Sequence, residues 1–168
     1  MQKKSKIRNW YLKWNSNSIE MNVNEMIMDS FNILDPIWND LYAAALSVQR
    51  PRRVSGYVEA GAVAAAILSG SGKIYTGVCV DTCSTLGICA ERSAIFSMLT
   101  AGEDRIQKVL ALMPDGTCGA PCGACRELMV QLMPDDFGTI EVMMDRERGT
   151  VVTMQDLTPC WWIRGDRA

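Results

Sequence analysis

A chain of 168 residues that is 48% hydrophobic and 21% charged can bury one core of ordinary size and is too apolar to be disordered. Its net charge of −2 argues against a partner held through a phosphate backbone. It contains no histidine, which excludes imidazole general bases, Ser-His-Asp and Cys-His nucleophile systems, and histidine-ligated zinc. Any metal must then be held by cysteine or carboxylate, and any proton moved by Glu, Asp, Lys, Tyr or Cys.

Residues 1–27 are read as an N-terminal extension outside the core. Lys3, Lys4, Lys6, Arg8 and Lys13 precede the first acid, Glu20, and the stretch from 15 to 24 is rich in Asn and Ser. Met21, Met26 and Met28 are each possible starts, so a native basic arm and a mis-assigned start are equal readings. Residues 28–168 are read as a single domain. Asp35-Pro36 suits a helix start, and Ile37, Leu41, Ala44 and Val48 recur at helical spacing, which predicts a helix over 36–49. Arg50-Pro51-Arg52-Arg53 reads as a solvated connector. The apolar run 62–68 predicts a buried strand, Ser69-Gly70-Ser71-Gly72 a hairpin turn, and the alternating Ile74, Thr76, Val78 and Val80 its partner over 73–81. A loop over 82–88 leads to a helix over 89–101, a strand over 108–113, a helix over 121–133 and a strand over 140–144. Val151-Val152 suggests a further short strand. This order predicts an α/β fold, a three-layer α-β-α sandwich around a mixed sheet of about five strands.

The seven cysteines are Cys79, Cys83, Cys89, Cys118, Cys122, Cys125 and Cys160. The number is odd, and residues 9–18 are too polar to be the apolar part of a signal peptide. The most apolar stretch, 60–68, is about half the length of a membrane span. The expectation is a cytoplasmic protein without a membrane partner, in which clustered cysteines mean metal or redox chemistry before disulfides.

Cys89-Ala90-Glu91 opens one predicted helix and Pro121-Cys122-Gly123-Ala124-Cys125 opens another. Cysteines three apart on a helix share a face, and helix N-termini favour thiolates. Two such termini converging would bring three sulfurs to one ion, leaving the open fourth position of a catalytic zinc. Glu91 then stands beside the ion as a proton shuttle. A closed, non-catalytic zinc module completed by Cys118 or Cys83, and a thiol redox protein built on Cys122 and Cys125, are the alternatives. The joint pattern matches the zinc nucleobase deaminase signature in an all-cysteine form.

The segments Cys89-Ala-Glu-Arg-Ser-Ala-Ile95 and Pro121-Cys-Gly-Ala-Cys-Arg126 resemble the two zinc motifs of the short cytidine deaminases and of the related blasticidin S deaminases. Val63-Ala-Ala-Ala-Ile67 followed by Gly72-Lys-Ile-Tyr-Thr-Gly77 resembles the preceding strand pair, and the likeness runs from about residue 57 to about 159. The resemblance implies a cytidine deaminase-like fold, Zn2+ on Cys89, Cys122 and Cys125, Glu91 as the shuttle, and Arg92 against the ligand sulfurs. It implies hydrolysis of a cytosine nucleoside to a uracil nucleoside and ammonia in pyrimidine salvage, by a homo-oligomer, a tetramer. Blasticidin S or another aminopyrimidine is the alternative substrate, and no nucleic-acid polymer is expected. Where those enzymes carry Asn-Val-Glu to hold ribose, this chain reads Cys79-Val80-Asp81, so Cys79 and Asp81 are the corresponding substrate-binding candidates. Trp161 and Trp162 read equally as interface anchors and as core.

Overall fold

The structure, a computed structural model, describes residues 35–162. The predicted extension, 1–27, lies outside the described residues. Asp35 accepts the backbone N–H of Ile37 at 3.1 Å and opens helix α1, Ile37–Val48. The buried stripe of α1 is Trp38, Leu41 and Ala45 rather than Ile37, Leu41, Ala44 and Val48. The large Trp38 ring rotates the helix toward the core and leaves Ile37, Ala44 and Val48 at the edge of the packed cluster.

Two residues, Arg52–Arg53, form strand β1, and Val58–Ser69 form β2. Strand β3 spans Ile74–Thr82, helix α2 Ala90–Thr100, strand β4 Ile106–Leu112 and helix α3 Gly123–Leu132. A 3-10 turn at Phe137–Thr139 leads to β5, Glu141–Asp145, then β6, Thr150–Thr153, and a short helix α4, Met154–Leu157. Among the described residues the sheet has six strands, not about five. The added strand is the arginine connector, whose Arg52 and Arg53 pair with Ala60 and Glu59 of β2. No apolar alternation marks it, because two residues paired across a turn need none. Strand β2 also starts four residues before the predicted one. Glu59 and Gly61 interrupt its apolar pattern, yet Val58, Glu59 and Ala60 still pair with β3.

Strand β2 is central. It runs antiparallel to β3 on one side and to β4 on the other, and β4 and β5 are parallel. Helix α1 covers one face through Ala64, Ala66 and Leu68. Helices α2 and α3 cover the other through Ala65 and Ile67. Burial on both faces explains why 62–68 reads as a continuous apolar run rather than an alternating one. At Gly77 the backbone of α2 comes so near β3 that a Cβ there would lie 2.2 Å from the nitrogen of Ala94. The fold is therefore the predicted three-layer α-β-α sandwich.

Trp161 packs against Phe137 with ring centroids 6.2 Å apart and donates its indole N–H to Glu127 at 3.1 Å. Trp162 donates to the same carboxylate at 2.9 Å but stays 68% exposed. The pair thus divides, the first ring lying against the core and the second on the surface. No helix of the described residues is long and apolar enough to cross a membrane.

Candidate active site

The two cysteine motifs start helices, and the first cysteine of each is the N-cap. Cys89 (φ −72°, ψ 153°) precedes α2, and Cys122 (φ −67°, ψ 168°) precedes α3; both are extended. Neither side chain caps its own helix. Each sulfur turns instead toward the other motif, so that Cys89 Sγ and Cys122 Sγ are 3.4 Å apart and Cys122 Sγ and Cys125 Sγ 3.5 Å. All three lie within 4.8 Å of one another. An ion held tetrahedrally by metal–sulfur bonds of about 2.3 Å needs sulfurs roughly 3.8 Å apart; the two close pairs stand a few tenths of an ångström inside that spacing.

The electrostatics suit a dication. Burial pushes the Cys125 thiol well above its usual range, and the charge of Glu91 and the other two cysteines push it further. Burial and the bond to Cys122 also raise Cys89, against the pull of the Arg92 guanidinium. Cys122 titrates below its usual value: burial opposes ionisation, but the backbone N–H of Cys125 and the bonds to Cys89 and Cys125 outweigh it. A cation takes these sulfurs as thiolates, so its binding displaces their protons. Burial disfavours the charge on Arg92, but the sulfurs of Cys89 and Cys125 more than compensate, so the guanidinium stays cationic beside them. Arg126 fixes the second motif by donating to the carbonyls of Pro121 at 2.8 Å and Leu157 at 3.0 Å.

Beside the sulfurs opens a cavity of about 420 Å³, whose lining includes Cys89, Glu91, Arg92 and Cys122 together with Cys79 and Asp81. Glu91 is 5% exposed and forms no ion pair among the described residues. The structure thus brings all seven predicted site residues together, with Cys125 buried behind the cavity wall. Cys83 and Cys118 do not join the sulfur cluster. Cys83 is exposed near the carbonyl of Tyr57, and Cys118 lines a separate cavity with Arg146 and Tyr42. Neither supplies a fourth sulfur, so a closed Cys₄ site does not form.

Residues 39–140 match the family described as the cytidine and deoxycytidylate deaminase zinc-binding region. The chain belongs to this family. Within it, the chain is 30% identical over 100 residues to a cytidine deaminase of Halalkalibacterium halodurans, covering 58% of this chain and 74% of that protein. It is 37% identical over 87 residues to a Dictyostelium discoideum protein named "Probable cytidine deaminase", covering 50% of this chain and 57% of the relative's length. Among solved structures, the cytidine deaminase of Mycobacterium leprae superposes with a TM-score of 0.61 at 28% identity, covering 75% of this chain and all of that one. That of Burkholderia pseudomallei gives a TM-score of 0.57 at 31% identity, covering 72% and 95%. The deaminase family fixes the metal as zinc and the reaction class as hydrolytic removal of an amine.

Two parts of the deaminase site escape sequence reasoning. Gln49, just after α1, donates its amide to the carbonyls of Ala62 at 2.9 Å and Met113 at 3.0 Å, residues that line the cavity. Nothing in a lone Gln at a helix end signals this. Arg126 stands inside the second motif, and its position there was the available signal.

Proposed function

We propose that the chain hydrolyses the exocyclic amine of a cytosine nucleoside, cytidine or deoxycytidine, with zinc on Cys89, Cys122 and Cys125 and Glu91 as the proton shuttle. One observation carries this reading: a buried carboxylate without an ion-pair partner opens onto the same cavity as a three-sulfur cluster with no fourth sulfur. Zn2+ bound there supplies Lewis acidity and brings the pKa of a water molecule toward neutrality. Glu91 accepts a proton from the attacking water and delivers it to the ring nitrogen next to the amine-bearing carbon. The water oxygen forms the new bond to that carbon. Glu91 then takes the remaining proton from the new hydroxyl and passes it to the amine; the carbon–oxygen double bond forms as the carbon–nitrogen bond breaks, and ammonia leaves with the uracil product. Arg92 offsets the negative charge of three thiolates, which would otherwise make the water less acidic. Asp81, which lines the same cavity, is the acceptor for a sugar hydroxyl.

The cavity, about 420 Å³, suits a free nucleoside. Tyr57 and Leu86 are 76% and 82% exposed, which supports a homo-oligomer in which they are covered; a tetramer is the size the family resemblance implies. A cytoplasmic enzyme of pyrimidine salvage is the setting consistent with this chemistry. The test is release of ammonia from cytidine, deoxycytidine, cytosine, blasticidin S and adenosine by protein carrying one zinc per chain. Turnover of a cytosine nucleoside supports the proposal. Turnover of blasticidin S alone moves the substrate to the other arm of the family. Zinc binding with no turnover of any of the five overturns the catalytic reading.

A further inference from the structure

Part of the cavity lining, Ala62 and Val63, stands on an irregularity in β2. Ala60 pairs with Val80 and Ala64 with Val78, so three residues of β2, Gly61, Ala62 and Val63, stand opposite the single residue Cys79. Such a bulge removes backbone groups from the ladder. Gly61 permits it with φ +83°, where a Cβ would lie 2.3 Å from the carbonyl oxygen of Arg50. Two of the freed groups find side-chain partners. Gln49 takes the carbonyl of Ala62, and the backbone N–H of Val63 donates to Cys79 Sγ at 3.2 Å.

That second bond leaves the thiol hydrogen of Cys79 free to point elsewhere, and it donates to Asp81 Oδ2 at 3.7 Å. Cys79 is itself only 8% exposed. Asp81 lines the cavity, is exposed, and makes no ion pair among the described residues. Its cross-strand neighbour is another acid, Glu59, which repels it and cannot orient it. The thiol of Cys79 is thus the side chain that fixes the direction of this carboxylate.

We propose that Cys79 is a positioning residue for substrate recognition: the β2 bulge aligns its thiol through Val63, and the thiol holds Asp81 with one oxygen turned to accept a hydroxyl of the substrate's sugar. This rests on the function proposed above and refines its substrate side. With its acceptor taken by Val63 and its hydrogen by Asp81, Cys79 contributes no bond of its own to the sugar. The carboxylate oxygen that the thiol leaves free is the one that faces the sugar, and its contact centres on one hydroxyl.

The experiment uses full-length, zinc-loaded protein with cytidine and its 2′-, 3′- and 5′-deoxy analogues. Cys79→Ala should raise the KM for cytidine about fivefold and leave kcat nearly constant, as loss of one modest hydrogen bond implies. Asp81→Ala should raise the KM more. The same single analogue, the one lacking the contacted hydroxyl, should be insensitive to both substitutions. In the Asp81→Ala background, Cys79→Ala should add nothing, and Cys79→Ser, which keeps a donor and an acceptor, should recover most of the loss. Should Cys79→Ala fold poorly, Cys79→Val fills the thiol's space without its hydrogen bonds and makes the same comparison. Equal losses on all four substrates, or an undiminished effect without Asp81, would show a merely structural cysteine and overturn the inference. Zinc-loaded wild type that deaminates none of the four removes the proposed function instead, and this inference with it.

Discussion

Gly77→Ala is the substitution that most directly tests how the fold aims the site. The added Cβ would lie 2.2 Å from the nitrogen of Ala94, 2.6 Å from the carbonyl carbon of Ser93 and 2.7 Å from the carbonyl oxygen of Ala90. All three atoms are backbone of α2, so no rotamer change can relieve the contact. Helix and strand must separate by roughly 1 Å, in a core packed like a crystal. Overpacking of this kind costs about 3 kcal/mol, which for a domain of this size lowers Tm by about 10 °C. The displaced helix begins at Cys89 and carries Glu91 and Arg92. A shift of roughly 1 Å there should weaken zinc binding and reduce kcat by about 10²-fold. Gly56 is the control: nothing lies within 4 Å of its would-be Cβ and its φ is not in the left-handed region. Thermal melting and chelator competition for zinc, measured on Gly77→Ala and Gly56→Ala side by side, decide the matter. A Gly77→Ala protein that melts within 2 °C of wild type, roughly the effect of ~0.5–1 kcal/mol, and holds zinc equally well would refute the close approach of α2 to β3.

Three further outcomes are expected. Glu91→Gln should retain zinc, measured by metal analysis, and lose at least about 10²–10⁴-fold in kcat, because an amide keeps the shape but cannot move a proton; retention of a third of the activity would remove Glu91 from its role. Cys125→Ala should bind no zinc at stoichiometry, and chelation of the wild type should lower its Tm, since a metal bound only by the folded state stabilises that state; an unchanged melt in excess chelator would contradict a metal held by these sulfurs. Glu103 accepts bonds from Ser71 at 2.7 Å, Tyr75 at 2.9 Å and Lys73 at 3.1 Å. Bonds from Ser69, then Ser71, Tyr75 and Lys73, hold its carboxyl at about 2 against a usual 4.5. Because the folded value is the lower one, its stabilisation is complete above pH 4.5 and disappears as pH falls toward about 2. Glu103→Gln should therefore lower Tm at neutral pH, with the gap to wild type closing across that window; a gap independent of pH would show that the charge of Glu103 contributes nothing.

The sequence alone determined the parts whose physics is local. Cys89 and Cys122 announce themselves because a helix N-terminus, a neighbouring acid and a Cys-x-x-Cys spacing all fall within a few residues. The absence of histidine leaves cysteine to hold the zinc. The α/β order followed from helical and alternating apolar spacing, and the continuous run 62–68 from a strand covered on both faces. Tertiary structure alone decided whatever depends on residues far apart in the chain. Among them are the rotation of α1 set by Trp38, the pairing of Arg52 and Arg53 with β2, and the exclusion of Cys83 and Cys118 from the sulfur cluster. So too is the β2 bulge, which links Val63, Cys79 and Asp81 by hydrogen bonds and is clamped by Gln49 at Ala62. The reason is that a backbone group freed from its ladder takes whichever donor or acceptor the packing brings within reach. That choice is made between strands and helices, after the local pattern has done all it can.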